Sequence, residues 1–142
     1  MDRIGRIRPG RSAGLPTLVG RLRDHAPPGR CGPLCGDRLL HTDLTAANMI
    51  VRPDGRPAVV DWGQVAIGPR WAEVSFLGAN LVRAGENLEE VRRWMWHFPE
   101  WRRTPYSARR ALAETLIARS GGEAPWWLRL VDVPFRPDEV SR

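Results

Sequence analysis

Two short polar motifs on either side of one predicted hairpin constrain this chain more than any other feature. The first runs His41-Thr42-Asp43-Leu44-Thr45-Ala46-Ala47-Asn48, and the second, thirteen residues later, is Asp61-Trp62-Gly63. A single Asp at the end of a strand is usually a cap or a turn residue. Three polar positions in register across a hairpin rarely arise by chance, so the motifs predict one shared site.

The segment between the motifs has the composition of a tight hairpin. Met49–Arg52 and Ala58–Val60 are predicted strands, and Pro53-Asp54-Gly55-Arg56 between them carries turn residues. Such a hairpin brings Asn48, just before its first strand, beside Asp61, just after its second.

The residue types in the two motifs suit the transfer of a phosphoryl group to an alcohol. This chemistry needs a carboxylate that orients the hydroxyl and accepts its proton, and oxygen ligands that hold Mg²⁺ against the nucleotide phosphates. Asp43 is the candidate proton acceptor, and Asn48 and Asp61 are the candidate metal ligands. The expected cofactor is Mg²⁺ with ATP, or another nucleoside triphosphate, as phosphoryl donor.

The stretch from Leu39 to Gly85 resembles the catalytic core of the aminoglycoside phosphotransferase family, which shares its fold with protein kinases. Thr42 stands where regulated protein kinases usually carry an Arg, which favours the small-molecule branch of that fold. Gly68-Pro69-Arg70-Trp71-Ala72-Glu73 resembles the G-[DP]-P-x-x-D segment of the family, with Glu73 in place of the usual Asp. The resemblance implies that the acceptor is the hydroxyl of a small molecule.

The resemblance also implies roles for residues around the candidate site. It gives His41, Gly63 and Glu73 supporting roles in the catalytic loop. We expect His41 to hold the loop by packing and hydrogen bonding rather than to take part in the chemistry.

The resemblance implies an α+β fold, a kinase-like C-terminal lobe that is mostly α-helical with one catalytic-loop β-hairpin. Only forty residues precede His41, and none of the 22 basic residues is Lys, so the strand lysine that contacts nucleotide phosphates in kinases is not among them. Gly5, Gly10 and Gly14 do not form a G-x-G-x-x-G loop. We therefore expect no N-terminal lobe. The chain would be a truncated product, a wrongly assigned start or half of a split enzyme, and inactive alone.

We predict a disordered basic tail over residues 1–14 and a single lobe over residues 15–142. Within the lobe, residues 39–85 form the catalytic core, residues 86–131 a helical remainder and residues 132–142 an irregular tail. The predicted helices cover Pro16–Ala26, Trp71–Ala84, Asn87 to about Phe98, a segment beginning at Thr104-Pro105, and Trp126–Val131.

The net charge of +6 raises a noncatalytic alternative, a scaffold with weak, nonspecific affinity for nucleic acid. Its basis is a short basic tail that carries Arg3, Arg6, Arg8 and Arg11. The absence of Lys indicates a compositional bias toward Arg, which weakens this interpretation. We therefore expect no nucleic-acid partner. We also expect no membrane partner, because no apolar run approaches the ~20 residues that span a bilayer. The expected location is cytoplasmic.

The acceptor itself is not fixed by these residues. A polycationic aminoglycoside would require an acidic binding face. Glutamates of the helical remainder are candidates, but arginines interleave with them, which favours a solvated surface of mixed charge. The glutamates are Glu86, Glu89, Glu90 and Glu100, and the arginines are Arg92, Arg93, Arg102 and Arg103.

Overall fold

The computed structural model describes residues 14–131, which form a small α+β fold of helices and two antiparallel sheets. The predictions for the tails, over residues 1–13 and 132–142, lie outside the described residues. The helices are α1 (Leu18–Leu22), α2 (Arg70–Arg83), α3 (Leu88–Trp96), α4 (Pro99–Arg102), α5 (Tyr106–Arg119) and α6 (Trp126–Val131). The strands are β1 (Arg38–Leu40), β2 (Met49–Val51), β3 (Pro57–Val59) and β4 (Ala66–Gly68).

The predicted hairpin is present, but the prediction of a single hairpin was incomplete. Strands β2 and β3 pair antiparallel with Ile50 opposite Ala58, as the turn chemistry predicts. A second sheet joins β1 to β4, with Leu39 opposite Ile67. Its strands are only three residues long and far apart in the chain, so neither produces a recognisable alternation of apolar and polar residues.

Helix α1 is shorter than the predicted Pro16–Ala26 helix at both ends, and it starts late because Pro16 and Thr17 are used in sheet-like pairing. Thr17 forms a parallel bridge with Ile67, whose N–H donates to the carbonyl of Pro16 over 2.8 Å. The Thr17 hydroxyl then caps the helix by accepting from the N–H of Gly20 over 2.9 Å. Leu18 and Leu22 face the core, which fixes α1 against the β1–β4 sheet.

Helix α2 is the central element of the core, because most of its residues are buried between the sheet and the helices that follow. Ser75 and Trp101 are both buried there, and the indole N–H of Trp101 donates to the Ser75 hydroxyl over 3.0 Å. Gly78 lets α3 approach closely, since a Cβ at this position would lie 2.4 Å from the sulfur of Met95.

Helices α3, α5 and α6 lie where the sequence predicts them, whereas α4 was not predicted. Asn87 caps α3 by accepting from two backbone N–H groups. Pro99, which directly follows the predicted end of α3 near Phe98, occupies the first turn of α4, where its missing N–H has no cost. In α5 one face with helical spacing is buried; it comprises Ala108, Ala111, Leu112, Thr115 and Leu116.

None of the helices between residues 14 and 131 is both long and apolar enough to cross a membrane.

Candidate active site

A buried carboxylate on α2 holds the segment that contains the first motif. Glu73 lies in the first turn of α2 with only 5 % of its surface exposed. Its two oxygens accept hydrogen bonds from the backbone N–H groups of His41 and Thr42, the latter over 3.1 Å. The longer Glu side chain therefore makes a buried polar contact at the position where the family resemblance would place Asp.

This contact supports an unfavourable backbone conformation at Thr42. Its φ of 65° is left-handed, which is uncommon for a β-branched residue and costs on the order of 1–3 kcal/mol. The surrounding bonds compensate for this cost, because the Thr42 hydroxyl also donates to the carbonyl of Gln64 over 2.6 Å. The turn directs the chain from strand β1 into the loop that carries Asp43.

His41 connects the first motif to the hairpin. Its side chain is fully buried and lies edge-on to the Trp62 ring, with centroids 4.8 Å apart. Nε2 lies 2.9 Å from the carbonyl of Val60, and Nδ1 lies 3.3 Å from the N–H of Asp43. A neutral ring protonated at Nε2 satisfies both contacts, since it donates to Val60 and accepts from Asp43.

Asp43 and Asn48, at the two ends of the loop, contact each other directly. The amide Nδ2 of Asn48 donates to the backbone carbonyl of Asp43 over 2.9 Å and to its carboxylate Oδ2 over 3.2 Å. The other atom of that amide, Oδ1, accepts no hydrogen bond from any residue between 14 and 131. The contact therefore fixes the Asp43 carboxylate and leaves one Asn48 oxygen available to a ligand.

The hairpin brings the second motif to the same end of the site. The N–H of Val60 donates to the backbone carbonyl of Asn48 over 3.0 Å, which places Asn48 across the hairpin from the residue preceding Asp61. Asp61 adopts a left-handed φ of 56°, and its carboxylate accepts from the N–H of Gly63 over 3.3 Å. The Asp61 side chain is exposed to solvent.

Two side chains at this end of the hairpin offer oxygen atoms suited to Mg²⁺. Mg²⁺ prefers oxygen ligands and is usually held in proteins by one or two carboxylates together with substrate phosphates. The exposed carboxylate of Asp61 and the unbonded Oδ1 of Asn48 are oxygen donors of this kind. No cluster of three or more His, Cys, Asp or Glu suited to a metal occurs within residues 14–131.

A cavity of about 560 Å³ opens beside Asp43, within the size range of small-molecule sites. Thr42, Asp43 and Gln64 form its wall on the side of the two motifs. Helices α1, α2 and α5, and residues 123–127, form the remaining walls. A molecule in this cavity would lie directly against the candidate proton acceptor.

Several residues that position the site were not predicted from the sequence. Asn80 donates from its Nδ2 to the carbonyl of Leu44 over 3.0 Å, which ties the loop to α2 a second time. Arg21 donates to the side chain of Gln64 over 3.2 Å and to the carbonyl of Val65 over 3.0 Å. Asn80 was detectable as a polar residue within a mostly apolar helix, whereas nothing local in the sequence indicates the Arg21 contacts.

Comparison with known families relates the chain to one of them. A model described as the phosphotransferase enzyme family matches residues 8–119, which is most of the sequence and extends well beyond the two motifs. No curated protein and no solved structure matches the chain. The family match confirms the relationship that the motifs predicted.

The buried position of Glu73 leads to a testable pH dependence. Burial raises the pKa of this carboxyl above its ordinary value of 4.5, although the hydrogen bonds from the His41 and Thr42 N–H groups oppose the shift. At pH values between the unfolded-state and folded-state pKa of Glu73, the native state binds more protons than the unfolded state. The free energy of unfolding therefore falls as pH rises through that range. The stability advantage of wild type over Glu73→Gln should therefore be largest at acid pH and shrink as pH rises.

Urea denaturation of both proteins across a pH series measures this difference. Glu90→Gln, at an exposed position on α3, is the matched control and should show no comparable trend. An advantage of wild type that grows with pH would show that the two N–H donors outweigh burial, which contradicts the raised pKa.

Proposed function

This chain belongs to the phosphotransferase enzyme family, and we propose that it transfers the γ-phosphoryl group of a nucleoside triphosphate to the hydroxyl of a small molecule. The observation that carries the proposal is the contact between Asn48 and Asp43 at the edge of the cavity. One loop thereby presents a fixed carboxylate and an unbonded amide oxygen beside a space that can hold an acceptor. The left-handed Thr42 and the Glu73 contact maintain this loop geometry.

Asp43 is the proposed proton acceptor. As the acceptor oxygen forms its bond to the γ-phosphorus, the bond from that phosphorus to the bridging oxygen breaks and a nucleoside diphosphate leaves. The hydroxyl proton passes to the Asp43 carboxylate. The Asn48 amide holds this carboxylate by donating to Oδ2, so that a hydroxyl in the cavity meets it in a fixed orientation.

Asn48 and Asp61 are the proposed ligands of a Mg²⁺ ion. When bound, the ion would neutralise charge on the nucleotide phosphates. The protein supplies the amide oxygen of Asn48 and the carboxylate of Asp61, and the Gly63 N–H orients that carboxylate by donating to Oδ1. The Mg²⁺ dependence of the reaction is part of the proposal.

The remaining phosphate contacts would come from a separate nucleotide-binding lobe. None of the 142 residues is Lys, so a lysine that contacts the phosphates is not contained in this sequence. Phosphoryl transfer depends mainly on positioning and on stabilisation of charge. We therefore propose that residues 1–142 alone transfer slowly or not at all, and that a lobe supplied in cis or in trans raises the rate.

The metal site can be tested by paramagnetic broadening. Mn²⁺ added with a nucleotide should broaden the NMR signals of residues close to Asn48 and Asp61, because Mn²⁺ accepts the same oxygen ligands as Mg²⁺. Asp61→Ala and Asn48→Ala should each weaken this broadening. Asp54→Ala removes an exposed carboxylate at the other end of the same hairpin and is the matched control. Broadening that survives Asp61→Ala unchanged, or that centres elsewhere, would exclude the proposed ligands.

The catalytic role of Asp43 can be tested by nucleotide turnover. In the chain assembled with a nucleotide-binding lobe, Asp43→Ala should lower the transfer rate by roughly 10²–10⁴, the range for a positioned general base. The assay follows formation of phosphorylated product over a panel of hydroxylated acceptors, with Asp54→Ala as the control. An assembled enzyme that is indifferent to Asp43→Ala would overturn the proposed role.

A further inference from the structure

We propose that the acceptor in the cavity beside Asp43 is a small hydroxylated anion, a hydroxy acid or a sugar phosphate, and not a polycation. The proposal rests on the phosphotransferase function above and assigns the substrate class of the same site. Its basis is the set of charged and aromatic residues that line the cavity opposite the catalytic loop.

Three arginines from three different helices converge on this cavity. Arg21 comes from α1, Arg83 from the last turn of α2 and Arg119 from the last turn of α5. The acidic residues in the lining are Asp43, which is assigned to the reaction, and the exposed Glu123. The groups left to contact the acceptor therefore carry an excess of positive charge.

Two of these arginines are available to a ligand. Arg21 is held by its bonds to Gln64 and Val65 and contributes mainly a fixed charge. Arg83 and Arg119 are exposed, and neither forms a side-chain hydrogen bond or an ion pair with another residue between 14 and 131. Arginine offers a planar fork of donors that matches the geometry of carboxylate and phosphate groups.

An aromatic wall complements the arginines. The rings of Trp126 and Trp127 are stacked with centroids 5.3 Å apart, and Trp127 also meets Phe76 edge-on. These rings offer a flat apolar surface for the carbon skeleton of a small molecule. The cavity therefore combines a surface for carbon, donors for an anionic group and the Asp43 carboxylate for a hydroxyl.

The four glutamates considered for a polycationic acceptor, Glu86, Glu89, Glu90 and Glu100, do not line this cavity. Glu89 forms a close ion pair with Arg92 on α3, and Glu100 pairs with Arg70 over 2.9 Å. Glu86 and Glu90 are exposed and are not part of the lining. A polycation in the cavity would meet Arg21, Arg83 and Arg119, and like charges placed opposite one another oppose binding.

A binding measurement distinguishes these substrate classes without requiring turnover. The probes are D-glycerate and glycerol 3-phosphate as anions, glycerol as their neutral counterpart and kanamycin as a polycation. Isothermal titration calorimetry on the full chain should show that at least one anion binds more tightly than glycerol, and that kanamycin binds least. The two anions separate a carboxylate from a phosphate preference, and either preference supports the proposal.

Charge substitutions at the cavity should act in opposite directions. Arg83→Gln and Arg119→Gln should each weaken binding of the preferred anion by about 1.5- to fivefold, the range for exposed charge pairs, and Glu123→Gln should strengthen it. Arg93→Gln on α3 removes an exposed arginine outside the cavity and should have no effect. All four positions are exposed, and the three other than the control lie in the cavity lining, so circular dichroism should report an unchanged fold.

The outcomes separate this inference from the proposed function. The inference would be overturned if kanamycin or glycerol bound as tightly as the anions. It would also be overturned if Arg83→Gln and Arg119→Gln left anion affinity unchanged. Phosphoryl transfer to a cationic acceptor would overturn it while supporting the function. Anion binding that follows the charge substitutions, without transfer in the assembled enzyme, would support the anion site and refute the phosphotransferase function.

Discussion

The structure of the site depends on one buried carboxylate and on the hydrogen bonds that it accepts from two backbone N–H groups. Glu73 reaches from the first turn of α2 to the N–H groups of His41 and Thr42, where the chain leaves strand β1. An ionised carboxylate is costly to bury, and the two N–H donors offset part of that cost. The same contact stabilises the left-handed backbone of Thr42, so the direction in which the loop departs is set by α2.

The contacts beyond Glu73 extend this support to the rest of the site. Asn80, two turns further along α2, donates to the carbonyl of Leu44 and fixes the loop a second time. His41 then links the loop to the hairpin through the Val60 carbonyl. Most residues of α2 are buried, so the loop that carries Asp43 is attached to the packed core of the described fold. Catalysis that depends on positioning requires such support.

The sequence predicted the elements whose signals are local. The β2–β3 hairpin has turn residues between two short apolar segments, and the buried face of α5 repeats at helical spacing. The β1–β4 sheet, the α4 helix and the shortened α1 depend on partners distant in the chain, and three-residue strands carry no usable periodicity. The motif residues could be named in advance because their spacing is local. The cavity could not, since Arg21, Arg83 and Arg119 come together only through helix packing.

The most direct test of the central claim, that the Glu73 carboxylate holds the loop carrying Asp43, is hydrogen exchange at the His41 and Thr42 amides. In wild type both amides should exchange slowly, because each donates to a buried oxygen. In Glu73→Ala both should exchange much faster, while the amide of Ala111 in the buried face of α5 remains protected as an internal reference. Protection of the His41 and Thr42 amides that is unchanged in Glu73→Ala, with Ala111 still protected, would contradict the account.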